Sequence, residues 1–341
     1  MRILIDIGHP AHVHLFKNFA WIMQKKGNDV LFTCRDKEFE IDLLKSYGFK
    51  FISFGKKLDS ILGKIYGLAI FDFKMLKVAL EFKPDIFISH GSIYAAHASF
   101  FIRKPHIALE DTGNMEQIVL YKPFTKLILT PKVMQKKYGK KQVYYNGFHQ
   151  SAFLHPNYFD RNKNYRDEFN IKSNKRIFLL RLVALNASHD INIKGLSKEK
   201  VRSLVNFLDD QGQLFISSEK PLIKEFEKFK LSISPNKIHK FLSICDLVIG
   251  ESSTMSNEAG YIGVPNVFIE DTNLDVVNGY VELGLKVHYN KLNEENLEEI
   301  KSIVNNLDKI KKNIKEKSDS YINDSIDLTK FMIEIVESTI K

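Results

Sequence analysis

Short apolar runs and amphipathic stretches alternate along most of this chain, and that alternation restricts its fold more than any other feature. Segments 2–7, 29–34, 51–53, 85–89, 105–108, 127–129 and 142–145 read as strands. Helical spacing fills 14–26, where Leu15, Phe19, Ile22 and Met23 share one side, and 37–47. A second series starts with a strand at 176–182 and a helix over 197–210. A strand at 213–217, helices over 221–229 and 235–245, and strands at 247–249 and 266–269 follow. Strands separated by helices imply βαβ units and parallel pairing. The expected architecture is α/β, with two Rossmann-like domains whose parallel sheets face a central cleft. Gly147 and Pro156 interrupt the rhythm between 146 and 166. This sets domains at 1–155 and 156–341, with the last helix free to pack back on the first.

At 341 residues the chain suits two domains of ordinary size. No run of about 18 apolar residues occurs, so no membrane-spanning helix is expected. Cys34 and Cys245 lie far apart with no metal-like spacing and read as buried, reduced thiols. Met1-Arg2 leads straight into a strand, so a cytoplasmic protein without a leader is expected. The charge is uneven. Residues 1–155 carry 23 Lys and Arg against 13 Asp and Glu, a net of +10, whereas 156–341 carry 27 against 28. The basic half, with its apolar and lysine-rich stretch between Phe54 and Lys83, suits an anionic membrane surface at the inner face of the membrane. A core-facing helix pair gives a similar pattern. No nucleic-acid-binding module accompanies the charge, so nucleic acid is not an expected partner.

The most specific local pattern is D-L-V-I-G-E-S-S-T-M-S-N-E-A-G-Y-I-G-V-P over 246–265. A strand runs into a small-residue turn, and a helix opens near Ser253. Free N–H groups and the positive dipole end then converge on one spot, as phosphate binding requires. Gly250, Ser252, Ser253 and Thr254 are the phosphate candidates, and Glu258 could accept hydrogen bonds from a ribose. Ser252 or Ser253 would cap the helix regardless of any ligand. Arg181 ends the strand at 176–182, where a guanidinium suits a diphosphate. Ser217, at the end of the next strand, could approach the base.

Other candidates also fall at strand ends, the edge where open α/β sheets bind ligands. His9, His12 and His14 follow the first strand. They suit substrate contact or general base chemistry better than metal binding, because no supporting ligand follows at a metal-like spacing. His90-Gly91-Ser92 follows the strand at 85–89, and Glu110-Asp111 follows the strand at 105–108. Either group could supply a catalytic base or simply form a turn.

Several segments resemble a bacterial domain-of-unknown-function family assigned to the GT-B superfamily. They are D-I-G-H-P-A-H-V-H-L-F-K-N-F, K-K-G-N-D-V, C-R-D-K, K-P-D-I-F-I-S-H-G-S, A-L-E-D-T, Y-N-G-F-H and the 246–265 stretch. That superfamily includes nucleotide-sugar glycosyltransferases and non-hydrolysing sugar-nucleotide 2-epimerases, whose C-terminal domain holds most of the nucleotide. The resemblance implies that Glu258 holds the ribose, Ser252–Thr254 the phosphates and Arg181 the diphosphate. It implies a glycosyltransferase taking a UDP-linked sugar to a cell-surface glycan or lipid-linked acceptor. No resident cofactor or metal is expected. His9, His12 or Asp111 would be the base, and His14, His90, Gly91, Ser92 and Glu110 would contact substrate. Two departures stand out. Glu251 sets a carboxylate beside the anion site and would have to turn outward. Ile269-Glu270-Asp271-Thr272-Asn273 lacks an arginine that the better-known epimerases carry. An epimerase and a non-catalytic nucleotide- or glycan-binding protein are the rival readings.

Overall fold

The computed structural model describes residues 1–36, 39–56, 61–183, 198–218 and 221–340, with the backbone alone at 61–66 and 198. The chain divides into two compact units, one of Met1–Tyr158 with Ser325–Lys341 and the other of Phe159–Asp324. The division therefore falls three residues beyond the expected 155/156 boundary, and the last helix belongs to the first unit. That assignment has a local cause. Asn18 Nδ2 and Thr329 Oγ1 both donate to the Ala152 carbonyl, at 2.8 and 2.7 Å, and the ring of Phe331 lies 6.1 Å from that of Tyr145.

In the first unit, strands β1 (Arg2–Ile7), β2 (Asp29–Cys34), β3 (Phe51–Ser53), β4 (Ile86–His90), β5 (His106–Leu109), β6 (Leu127–Pro131) and β7 (Gln142–Tyr145) form one sheet. Its order is β3-β2-β1-β4-β5-β6-β7, and every pairing is parallel. Helices α1 (Pro10–Lys25), α2 (Glu40–Ser46), α3 (Ile61–Phe82), α4 (Ile93–Phe101) and α5 (Met115–Tyr121) make the crossovers. Ile3, Leu4, Ile5 and Ile7 of β1 are fully buried, as a parallel strand covered on both faces must be. The chain builds outward from β1 to β3 and then returns to β4 on the other side. The β1 and β4 ends therefore flank the switch point, where such sheets bind ligands.

The second unit repeats the plan with β8 (Ile177–Leu182), β9 (Gln213–Ser218), β10 (Leu247–Gly250), β11 (Asn266–Ile269) and β12 (Val287–Tyr289), in the order β12-β11-β10-β8-β9, all parallel. Its helices are α6 (Lys198–Gln211), α7 (Ile238–Ile244), α8 (Ser253–Tyr261), α9 (Asp275–Glu282), α10 (Glu294–Asn305) and α11 (Leu307–Asp324), and α12 (Leu328–Ile340) returns to the first unit. Here the switch point lies between β8 and β10. The helix expected over 221–229 is only a 3-10 segment, Lys224–Phe229, which buries Phe226 and Phe229 at the three-residue period of that helix. The one expected over 235–245 is a 3-10 turn, Pro235–Lys237, followed by α7. Both cysteines are buried and unbridged. Among the described residues, no helix is long and apolar enough to cross a membrane.

One core histidine gives the first unit a pH-dependent stability. Ser89 Oγ and Thr125 Oγ1 hydrogen-bond the two ring nitrogens of His106, at 2.9 and 2.8 Å, and burial pushes its pKa down to about 3. The unfolded chain protonates this ring near about 6.5. Its contribution is therefore complete above that value and is lost as pH falls toward the folded value, by about 1.4 kcal/mol per unit. Urea unfolding at pH 7 and pH 5 should show about 2 kcal/mol of acid destabilisation from this group in the wild type. His106→Gln should lack that part of the slope; an unchanged slope would exonerate His106.

Candidate functional site

The first turn of α1, the last residue of β4, the loop after β5 and the 3-10 turn after β7 gather His12, His90, Asp111 and His149 at the C-terminal edge of the first sheet. The His12 and His90 rings stack with centroids 4.2 Å apart. Asp111 bridges two imidazoles, with Oδ1 3.0 Å from His90 Nε2 and Oδ2 2.9 Å from His149 Nδ1. Arg35 completes this edge, with Nη1 at 2.7 and 2.6 Å from the buried carboxylate of Asp6. A Cβ on Gly8 would stand 2.7 Å from Arg35 Nη2, so glycine is what lets the guanidinium lie against the loop. His149 and Arg35 were not singled out from the sequence. His149 had a visible signal, since Y-N-G-F-H places a histidine just beyond a strand.

Proton placement follows from Asp111. Burial alone would raise its pKa, but the charge and hydrogen bond of His149, then those of His90, outweigh it and hold the group well below the usual carboxylate range. An ionised carboxylate only accepts, so both facing ring nitrogens are N–H donors. His149 in its neutral form therefore keeps its lone pair on Nε2, which is buried without a hydrogen-bond partner. His90 is pulled down by burial, yet the Asp111 hydrogen bond and charge, aided by Glu110, leave its pKa raised. Burial, then His90 and His9, push His12 well below its ordinary value.

The sequence offers His9 and His12 as bases, and the hydrogen bonds make them donors instead. His12 Nδ1 accepts the Gly8 N–H at 3.2 Å, and His9 Nδ1 accepts the Ala11 N–H at 3.1 Å as it caps α1. Each neutral ring must then carry its proton on Nε2. His14 does not join the cluster. It is buried among Phe153 and Tyr47, with Nδ1 3.2 Å from the Tyr47 hydroxyl. Glu110 is likewise consumed by its own turn. It accepts from Thr112 N–H and Oγ1, Gly113 N–H and the Tyr121 hydroxyl at 2.7–2.8 Å. Ser92 caps α4, and Gly91, at φ +56°, lets the chain pass Tyr121 and Glu110. His90, Asp111 and His149 each offer one atom within 4.8 Å of the others and could hold a divalent cation. Both rings would then have to be neutral and give up their bonds to Asp111.

In the second unit the structure gathers a different chemistry. Arg181 on β8 stands in register with Ser217 on β9 and Gly250 on β10, and its Nη1 donates to Ser217 Oγ at 3.0 Å. Ser252 Oγ caps α8 by accepting the Met255 N–H at 3.3 Å. The N–H groups of Ser253 and Thr254 find no acceptor among the described residues, which leaves the positive end of α8 open beside Arg181's strand. Glu251 does not turn outward. Its buried carboxylate accepts the Val183 N–H at 2.9 Å, a backbone bond that offsets its charge locally. Glu258 is 4% exposed, and its carboxylate lies 3.3 Å from His239 Nε2 on α7. The group expected to meet a ribose thus faces a buried histidine of its own unit. Glu219 and Lys220, which follow Ser217 and Ser218 at the end of β9, lie outside the described residues.

Sequence comparison matches residues 1–341 to the family described as "Protein of unknown function (DUF354)". The chain belongs to this family. A relative, the uncharacterized protein MJ0665 of Methanocaldococcus jannaschii, is 22% identical over 307 residues, covering 86% of this chain and 89% of its own. Among solved structures, UDP-GlcNAc 2-epimerase from Neisseria meningitidis bound to UDP-GlcNAc superposes with a TM-score of 0.66 at 13% identity, over 99% of this chain and 100% of that one. Spinosyn forosaminyltransferase SpnP gives 0.67 at 11% identity, over 100% of both chains. This DUF354 chain therefore has the GT-B fold shared by sugar-nucleotide epimerases and glycosyltransferases. Likeness at these identities speaks for the fold, and function rests on the residues.

Proposed function

We propose that the chain is a glycosyltransferase moving a sugar from a nucleotide donor, expected to be UDP-linked, to a hydroxyl of a cell-surface glycan or lipid-linked precursor. The observation that carries this reading is Asp111 holding two imidazoles, those of His90 and His149, at the first switch point. An imidazole oriented by a carboxylate is suited to take the acceptor hydroxyl's proton. The hydroxyl oxygen bonds to the anomeric carbon, the carbon–phosphate oxygen bond breaks, and the nucleoside diphosphate leaves with the electron pair. In the second unit, Arg181 and the N–H groups of Ser253 and Thr254 would meet that charge. On this reading activity persists in chelator. Loss of activity restored only by a divalent ion would turn the His90–Asp111–His149 trio into metal ligands and overturn the proton-transfer role.

Nucleotide binding is tested by melting the protein against UDP, dTDP, GDP and their sugar conjugates. A ligand at about 100 times its dissociation constant adds about 2.7 kcal/mol. For a unit the size of Phe159–Asp324 that is a rise of roughly 5–10 °C. Arg181→Gln should lose the rise. It is a cleaner probe than Glu258→Ala, which would strand His239 in the core. No rise with any nucleotide sinks the reading.

The epimerase keeps one observation in its favour, because an Asp-oriented imidazole could also remove a proton from C2 of the sugar. Solvent deuterium entering C2 with donor alone would select it.

A further inference from the structure

The helical face opposite the core of the first unit is apolar where solvent should make it polar. In the described part of α3, Phe71, Met75, Val78 and Ala79 point inward against Ala95 and Ala98 of α4. Phe73, Lys77 and Leu80, spaced by four and three residues, share the outer face, where Phe73 is 71% exposed. Phe100 and Phe101 end α4, the latter 70% exposed, and Val119 and Leu120 of α5 are exposed beside them. His97 ties the three helices together. Its Nδ1 lies 2.9 Å from Asp72 Oδ2, its Nε2 3.3 Å from the Leu120 carbonyl, and its ring 4.8 Å from that of Phe124. The Phe100 ring sits 5.2 Å from Phe124 as well, so these side chains form one surface. Single exposed apolar residues are ordinary, but a contiguous patch of this kind marks an interaction site.

Charge decides the partner. Next to Phe100 and Phe124 runs a groove of about 660 Å³ lined by Arg103, Lys104 and Lys126. Those cations are weakly engaged. Lys104 reaches Asp85 only at 3.8 Å, and Lys126 reaches the Thr339 carbonyl at 3.3 Å. Lys77, 4.0 Å from Glu81 on the next turn of α3, and Lys83, just past the end of that helix, extend the basic border. A second copy of the chain would bring two basic borders together and be repelled.

We infer that this face seats on an anionic phospholipid bilayer. Phe73, Leu80, Phe100 and Phe101 enter the boundary between headgroups and acyl chains, and Arg103, Lys104 and Lys126 hold lipid phosphates. The groove lies at the N-terminal ends of β4, β5 and β6, and the histidine cluster lies at the C-terminal ends of strands in the same sheet. Seating on lipid therefore leaves the cluster uncovered. The inference stands independently of which reaction that cluster performs.

Cosedimentation of the full chain with phosphatidylcholine vesicles, with and without phosphatidylglycerol, tests it. Binding is expected only with phosphatidylglycerol and should weaken with salt. The variant Phe73→Ser with Phe101→Ser should stay in the supernatant. Arg103→Ala with Lys104→Ala should bind about 25-fold more weakly, at roughly fivefold per basic residue. Unchanged near-ultraviolet circular dichroism shows that the variants fold, and all substituted side chains are exposed. No binding to anionic vesicles, equal binding to both vesicles, or variants that bind like wild type would each overturn the inference. So would a wild-type dimer in gel filtration that the phenylalanine variant makes monomeric.

Discussion

Asparagine at position 111 is expected to lower donor turnover by about 10⁴-fold, the scale of loss when the carboxylate orienting a catalytic imidazole becomes an amide. The cause is a proton-placement problem. Asp111 accepts from two rings at once, His90 Nε2 and His149 Nδ1. An amide keeps one acceptor oxygen and turns an NH₂ toward the other ring, which must then present a lone pair. If that ring is His149, its proton moves to Nε2 and the candidate base disappears. The raised pKa of His90 also falls, because the bond and charge that raise it are gone. With His90 as the ring that takes the acceptor's proton, the acid limb of kcat/KM should then shift to lower pH, an effect that a merely structural role for Asp111 would not give. Release of nucleoside diphosphate from the donor that stabilises the wild type is the assay. Nucleotide-induced stabilisation should survive, because Arg181 and α8 belong to the other unit. His149→Gln should cost about as much, and the double variant little more, since residues acting as a unit are not additive. Turnover within tenfold of wild type in Asp111→Asn would remove the cluster from the chemistry.

The strand plan was legible because burial on both faces leaves a plain signature. Arg2–Ile7 and Asp29–Cys34 are apolar runs with polar or glycine boundaries, and the observed strands have those limits. Val287–Tyr289 escaped notice because an edge strand of three residues, none fully buried, carries no such run. The single long helix α3 escaped because its outer face is apolar too, which erases the helical stripe. At the sites, position was legible and pairing was not. Strand ends identified Arg181, Ser217, Gly250, His90 and Asp111, and parallel register brings the first three side by side. Spacing could not tell that Glu258 faces His239, that Glu110 folds back on its own turn, or that His14 sits in the core. Those outcomes depend on which face of a helix or turn meets a residue distant in sequence. Ring tautomers are further removed still, because they follow from partners such as the Gly8 N–H and the Asp111 carboxylate.

Gly250→Ala is expected to cost more than about 4 kcal/mol, enough to remove much of the stability of a unit this size. An added Cβ would lie 2.1 Å from the Arg181 carbonyl oxygen and 2.8 Å from its carbon, at a residue whose φ is +156°. Neither neighbour can yield. The clashing atoms are backbone in the pairing of β8 with β10, and the same Arg181 oxygen accepts the Glu251 N–H at 3.0 Å. A flexible side chain would move aside cheaply; this carbonyl moves only if the sheet opens. Gly27→Ala is the control, because its φ is +82° but no atom lies within 4 Å of the added Cβ. It should cost only the backbone conformation, about 1–2 kcal/mol. The only tryptophan, Trp21, lies on α1, so its fluorescence follows the first unit while far-ultraviolet circular dichroism follows both. In urea, Gly250→Ala should lose part of the dichroism early while the Trp21 transition holds its midpoint, and Gly27→Ala should shift the Trp21 transition. Nucleotide stabilisation should vanish in Gly250→Ala even where the variant stays folded, because displacing the Arg181 carbonyl displaces both Arg181 and the start of α8. Full stability with full nucleotide response in Gly250→Ala would mean that the β8–β10 switch point tolerates a gap it does not show, and that the anion site does not depend on it.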